Sequence, residues 1–508
     1  MSRRWWVVGG VVLVMALFVG WTVQVGGPGF PLDDGWIHQT YARSLARNGR
    51  WEYTPGVVSA GSTSPLWTIL LAVGYVLRLP YLLWAFLLGG LSLLWLALAG
   101  MQLWRTWWPE WAGKEWLAGL TLVLMWPLVW GAASGMESIL FAALGMQIAA
   151  LYGRMVLDSE EPTLWKEAAA LGFLSGLLIL TRPDGVVLVL LVALGLLLRP
   201  ETPRRRLTIE LAFGLATAVP LFPYFAFNLS TSGSIWPNTF YAKQIEYQAL
   251  LSAPLVSRFV RLLYFSLGGP EVGWRGVSSA HLLLLPGVVV AGWRALSADW
   301  RSRVLVRTLP LWWAGGHVLL YAWRLPVTYQ HGRYLFAALP VWVLYGLAGW
   351  LWVMGKLGNG RQARIIKQVA GLTFGLLLLL FLLLGAQSYV QDVAFIEGEM
   401  VDAAHWLAAN TPPDALIAAH DIGAIGYFAE RPLLDLAGLI SPQIIPLLAD
   451  ETSLAAYVRT SEADYLVTAP GWEYLTLTSN PDVHRLYSTD FEWTKAQGVN
   501  NTAVYKLP

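Results

Sequence analysis

The 508-residue chain is 56% hydrophobic and only 13% charged, and it contains no cysteine. A charged share about half that of an ordinary soluble domain excludes a cytosolic globular protein, and the missing thiols exclude disulfides, thiolate metal sites and cysteine nucleophiles together. Net charge is +2, but residues 389–508 hold 5 Lys/Arg against 16 Asp/Glu and residues 1–388 hold 29 against 16, so a basic membrane part precedes an acidic tail and the balance argues for no nucleic-acid partner.

Apolar runs of 16 to 24 residues recur from Val7 to Leu384, the length that crosses a hydrocarbon layer of ~30 Å at ~1.5 Å per helical residue. The first, Trp5 to Val25, follows Arg3 and Arg4 and runs into a polar stretch instead of a small-residue cleavage site. It reads as an uncleaved helix with its N-terminus inside. Further candidate segments lie at 64–79, 82–103, 117–133, 136–153, 168–181, 184–199, 207–228, 279–296, 304–324, 333–354 and 365–388.

The basic clusters fix the sides. Arg204, Arg205 and Arg206, then Arg301 and Arg303, then Lys356, Arg361, Arg364 and Lys367 must share the inner face. That places the loops 229–278 and 325–332 and the acidic tail outside. Before Arg204 an odd number of crossings is needed, yet six candidates intervene after the first loop. The segment 64–79 is short, opens on Ser64-Pro65 and ends on Arg78-Leu79-Pro80, so it is expected to lie in the interface or re-enter. About 11 crossings remain, and the stretches 135–138 and 181–185 then face outside as well. After Ser388 short β-like runs (415–419, 433–436, 465–468) alternate with helical stretches such as 397–409 and 451–460, which predicts a small α/β domain on the outer face.

The first outer loop, 26–63, is the most informative stretch. If a helix starts after Asp33-Asp34, then Asp34, His38 and Tyr41 at i, i+4 and i+7 share one face, and one carboxylate points into a cavity at the membrane surface. Capping that helix needs only one carboxylate. Two adjacent carboxylates repel, so placing both suggests a base or ion ligand supported by its neighbour.

The run DDGWIHQTYARSLARNG followed by GSTSPLW resembles the first outer loop of GT-C glycosyltransferases that use polyprenyl-phosphate sugars, above all the bacterial subgroup that includes the mycobacterial arabinofuranosyltransferases. GMESILFAALGM, LTRPDGVVL, SIWPNTFYAK, HGRYLFAALP and DIGAIGYFAERPLLDLAGLISP resemble further blocks of that subgroup in the same order. In the superfamily a single loop-one Asp acts as catalytic base or acceptor-activating group, with a basic or polar helix position nine residues on. Asp34 and Arg43 keep that spacing, so the resemblance implies Asp34 as base and Asp33 as its neighbour or supporting partner. Ser64-Pro65 stands where aminoarabinose and mannosyl transferases carry Lys-Pro-Pro or His-Pro-Pro, a departure that speaks against a donor specificity like theirs.

Transfer from a lipid phosphate needs a base at the acceptor hydroxyl and cations around the leaving phosphate. Arginine suits the second task, because its fork matches phosphate oxygens and keeps its proton. In His331-Gly332-Arg333-Tyr334, Arg333 is the leading phosphate ligand, with Arg182 and Lys243 in reserve; the bland alternative for Arg333 is a snorkelling helix end. Glu137 opens a helix in apolar surroundings and is expected to contact a sugar hydroxyl or orient the base, unless it only favours the helix dipole. Asp184 either joins the substrate site or pairs with Arg182 at a helix break. Trp236, Asn238 and Tyr241 are candidates to stack on and hydrogen-bond a sugar ring, although aromatics of this kind more often anchor at the interface. His420 and Asp421 read as a strand-to-helix turn with Asp421 as cap.

The expected fold is thus an α-helical polytopic membrane protein, GT-C-like, with a transmembrane domain over 1–388 and a small extracytoplasmic α/β domain over 389–508. The expected activity is inverting transfer of a hexose or pentose from a polyprenyl-phosphate sugar to a glycan, lipid or protein acceptor, among membrane lipids, at the outer face of a bacterial-type plasma membrane. No cofactor is called for, although Asp33, Asp34 and Glu137 are of the type that binds a divalent cation. The rivals are an oligosaccharide ligase or polymerase using a lipid diphosphate, a transporter with polar groups at the bilayer midplane, and an inactive scaffold with a partner-binding tail.

Overall fold

The computed structural model describes residues 4–157, 164–270, 279–302, 304–470 and 474–508. Arg3, Arg303 and residues 271–278 of the loop 229–278 lie outside the described residues. Among the described residues, seven helices are long and apolar enough to cross a membrane, or up to nine if each of two bent pairs forms one span. The sequence suggests about 11, and the difference has a local cause. The candidates 184–199 and 304–324 become helices Val186–Leu197 and Leu309–Arg324, of 12 and 16 residues, because Pro183 and Pro310 start them late. The segment 64–79 becomes Pro65–Val76, 12 residues, too short to cross unaided.

The bent pairs also follow from proline. Glu115–Leu124 and Trp126–Ala132 meet at 66°, and Tyr329–Leu335 and Leu339–Lys356 meet at 78°. Pro127 and Pro340 occupy the first turn of the second helix in each pair, where a missing N–H does no harm, and Met125, between the first two helices, is extended at φ −73°, ψ 106°. These breaks lodge irregular backbone inside protein, where its polar groups find partners.

The 35-residue helix Arg361–Phe395 is about 50 Å long at ~1.5 Å per residue, more than the hydrocarbon thickness. It continues through Ile396–Val401 into Asp402–Asn410 and so carries the chain directly into the C-terminal domain. There, β1 (Ile417–Ala419), β2 (Leu433–Asp435), β3 (Tyr465–Thr468), β4 (His484–Ser488) and β5 (Ala503–Lys506) form one sheet in the order β2-β1-β3-β5-β4. The first three strands are parallel, and β5 and β4 are antiparallel to their neighbours. Asp450 caps Glu451–Thr460 by accepting from the Thr452 and Ser453 amides.

One face of the sheet packs Ala418, Leu434 and Leu466 against Leu454 and Val458. The other packs Ile417, Ala419 and Val467 against Tyr41 and Tyr53, which belong to the loop 26–63. The loop is therefore part of the core of the C-terminal domain and not a free excursion from the membrane.

Candidate active site

The loop helix spans Asp34–Asn48 and ends at Gly49 in the left-handed conformation. Its periodicity puts Asp34, His38 and Tyr41 toward the protein interior. His38 and Tyr41 are buried, and Tyr41 shares a short hydrogen bond with Ser59. Asp34, at the first turn, keeps 29% of its side chain exposed and faces a cavity of about 260 Å³.

Distant segments supply the rest of the cavity wall. Pro183 holds the residue before it out of helical geometry, and Arg182 is accordingly extended at φ −156°, ψ 134° between the helix Leu164–Thr181 and the turn Pro183–Gly185. Its guanidinium is completely engaged: Nη1 donates to Glu137 at 2.8 Å, Nε to Asp184 at 3.2 Å and Nη2 to the Tyr321 hydroxyl at 2.7 Å. Tyr321 in turn donates to Asp184 at 2.9 Å, and His38 Nε2 stands 3.3 Å from the second Glu137 oxygen.

Lys243 lies on the helix Asn238–Glu246. That helix is tied to the loop by the Asn238 amide and the Thr239 hydroxyl, which donate to the carbonyls of Ala60 and Gly61 at 3.0 and 2.6 Å. Lys243 Nζ donates to the Tyr334 hydroxyl at 2.9 Å and lies 3.6 Å from Asp34. Arg333 is buried, donates to Asp34 in a short ion-paired hydrogen bond, and reaches the Tyr334 hydroxyl at 3.2 Å.

Burial pushes the Asp34 carboxyl up, but Lys243 and Arg333 together outweigh it and hold the group well below the usual carboxylate range. The same attraction raises Lys243 above an ordinary lysine against the opposing effect of its burial. Two cations thus share a single carboxylate, while two carboxylates face Arg182. A local excess of one positive charge lies at the Asp34 end of the cavity.

The cavity gathers Asp34, Glu137, Arg182, Asp184, Trp236, Lys243, Arg333 and Tyr334 of the residues the sequence singles out. Others turn elsewhere. Asp33 faces away and accepts from the Gly423 and Ala424 amides at 2.6 and 2.7 Å. Asp33 thus satisfies two backbone amides of the turn after β1. His38 stands behind Glu137. His331 pairs with Asp392 at 2.7 Å between the rings of Trp126 and Trp130. Asn238 is buried beside the loop backbone and does not line the cavity. Arg43 pairs with Glu430 at 2.9 Å and lies over the Tyr427 ring, on the C-terminal domain.

Tyr321 and Arg324 line the cavity without having been singled out, and His317 stands 3.7 Å from Asp184. Their signal was polar side chains at i, i+4 and i+7 in an otherwise apolar segment. Asp33, Asp34 and Glu137 do not converge, and among the described residues no three His, Asp or Glu side chains gather as a metal site. A larger space of about 940 Å³ around Glu110, Arg294 and Arg301 contains none of the residues singled out as site candidates.

Residues 388–505 match a family described as Domain of unknown function (DUF8728). No curated protein matches the sequence significantly. Among solved structures, ArnT from Cupriavidus metallidurans bound to undecaprenyl phosphate aligns at a TM-score of 0.59 and 17% identity, over 99% of this chain and 98% of its own. The same protein in the apo state gives 0.61 at 15% identity, over 100% and 98%. The apo oligosaccharyltransferase of Archaeoglobus fulgidus gives 0.62 at 12% identity, over 92% and 69%. Architecture, and not side-chain chemistry, is what survives at such identities. The likeness shows that the chain shares the GT-C fold of these structures.

Proposed function

We propose that the protein is an inverting membrane glycosyltransferase that moves one sugar from a polyprenyl-phosphate donor to an acceptor hydroxyl at the outer face of a bacterial-type plasma membrane. The observation that carries the reading is the meeting of Asp34, Lys243 and Arg333 in one cavity of the fold. A polyprenyl-phosphate sugar is a phosphodiester with a single negative charge. The single excess positive charge beside Asp34 suits it better than a diphosphate. The cavity volume of about 260 Å³ lies just below the ~300–1,000 Å³ of pockets for drug-sized ligands and favours one sugar with its phosphate over an oligosaccharide.

In this mechanism the donor phosphate takes Lys243 and Arg333 away from Asp34. With its cations withdrawn, the Asp34 carboxylate becomes more basic and accepts the proton of the acceptor hydroxyl. That oxygen forms the new bond to the anomeric carbon as the carbon–oxygen bond to phosphate breaks. The electron pair leaves with the phosphate, whose growing charge Arg333 and Lys243 hold. One displacement inverts the anomeric centre. Glu137, Asp184 and Tyr321 keep Arg182 oriented at the sugar end of the cavity, and Trp236 offers an apolar ring face.

Mass spectrometry of the lipid-linked sugars in cells lacking the protein tests the donor class. Build-up of a polyprenyl-monophosphate sugar is expected. An unchanged pool contradicts the proposal, and build-up of a diphosphate-linked oligosaccharide favours the ligase instead.

A further inference from the structure

Asp34, Lys243 and Arg333 come from three segments far apart in the chain, and each has a near neighbour bonded to the C-terminal domain. Next to Asp34, Asp33 accepts from the amides of Gly423 and Ala424. The approach is so close that a Cβ on Gly423 would stand 2.0 Å from the Asp33 carbonyl oxygen. Three residues beyond Lys243, Glu246 lies 3.8 Å from His420 Nε2, and the other ring nitrogen of His420 is 2.9 Å from the Tyr474 hydroxyl. Two residues before Arg333, His331 pairs with Asp392, which also accepts from the Trp130 indole at 2.8 Å.

The last of these anchors works against backbone preference. Gln330, His331 and Gly332 have φ of 53°, 57° and 68° in succession. Side chains disfavour the left-handed region, so such a run persists only where surrounding bonds over-determine it. The His331–Asp392 pair supplies that restraint, and the turn it holds delivers Arg333 into the cavity. Asp392 sits on the long helix that enters the domain.

We infer that the domain over residues 388–505 is a frame that sets the geometry of the cavity, with Asp33, Glu246 and His331 as positioning residues for Asp34, Lys243 and Arg333. The inference rests on the glycosyl-transfer reading and assigns the domain a role within it. Displacing a reacting group by about 1 Å costs on the order of 100-fold in rate, whereas shifting a phosphate ligand weakens donor binding. The two kinds of anchor therefore fail in different ways.

The test uses the full-length protein in lipid nanodiscs, with undecaprenyl phosphate as the binding probe, and follows transfer as consumption of polyprenyl-phosphate sugars in membranes. Asp33→Asn is expected to slow transfer on the order of 10- to 100-fold and to leave undecaprenyl phosphate affinity within about twofold. Asp392→Asn and His331→Gln are expected to weaken that affinity by about tenfold. Should Asp33→Asn not accumulate as folded protein, the Asp392 and His331 variants alone decide the matter. If the variants change neither quantity, or change both in parallel with the amount of folded protein, the domain is only a packing partner and the inference fails. Asp34→Asn, which touches no anchor, judges the glycosyl-transfer reading separately.

Discussion

Asp33 and Asp34 are consecutive residues whose carboxylates serve opposite sides of one helix start: Asp33 accepts two amides of the C-terminal domain, and Asp34 accepts Arg333 across 299 residues of sequence. Their repulsion is tolerated because each has its own strong donors. The pair is a joint between a domain and a cavity, with one carboxylate for each.

In the proposed mechanism Asp34 occupies the cations a donor phosphate needs and so competes with the donor. Asp34→Asn is expected to bind undecaprenyl phosphate at least about threefold more tightly than the wild type, as removing a charge paired at short range should release its partners. Equal or weaker binding, measured by titration in nanodiscs, contradicts the competition.

Arg333 offers two planar donors where a lysine offers a point charge. Arg333→Lys is expected to weaken undecaprenyl phosphate binding by about tenfold, and Arg333→Ala by about 10- to 100-fold. Lysine restoring full affinity would show that charge alone suffices there.

Glu137 is 3% exposed and holds Arg182. Removing one partner of a buried ion pair costs about 3–5 kcal/mol, so Glu137→Gln is expected to lower the thermal midpoint clearly, and by more than Asp34→Asn, whose carboxylate is 29% exposed. Scanning fluorimetry of the three proteins checks the order.

Burial, helped by Asp421, pushes the Asp33 carboxyl up to about 7 from an ordinary 3.8, although the Ala424 and Gly423 amides pull it back. Between those values the folded protein keeps a proton that the unfolded chain has released. Stability from this group therefore falls as pH rises from about 4 to about 7 and is level outside that window. Thermal midpoints across that range are expected to decline in the wild type relative to Asp33→Asn; parallel profiles contradict the assignment.

Apolar run length revealed the membrane core, and the acidic tail with its short β-like runs revealed a separate α/β part. β4 escaped notice because its His484-Arg485-Leu486-Tyr487-Ser488 strand is mostly exposed at the sheet edge and shows no buried run. Asp34, Arg333 and Lys243 were legible because charges beside apolar helices require partners. Which way Asp33 and His331 point was not, since that depends on Gly423 and Asp392, hundreds and tens of residues away. The engagement of Arg182 with Tyr321 was hidden for the same reason: the polar spacing of His317, Tyr321 and Arg324 marks a face of their helix but not its partner, 139 residues away.

Sugar transfer by Asp34→Asn protein, reconstituted beside the wild type with donor-bearing membrane lipids, is the most direct measurement. Loss of transfer by about 100-fold or more, with undecaprenyl phosphate still bound, is the expected result. Transfer at the wild-type rate would remove Asp34 from the chemistry and with it the proposed mechanism.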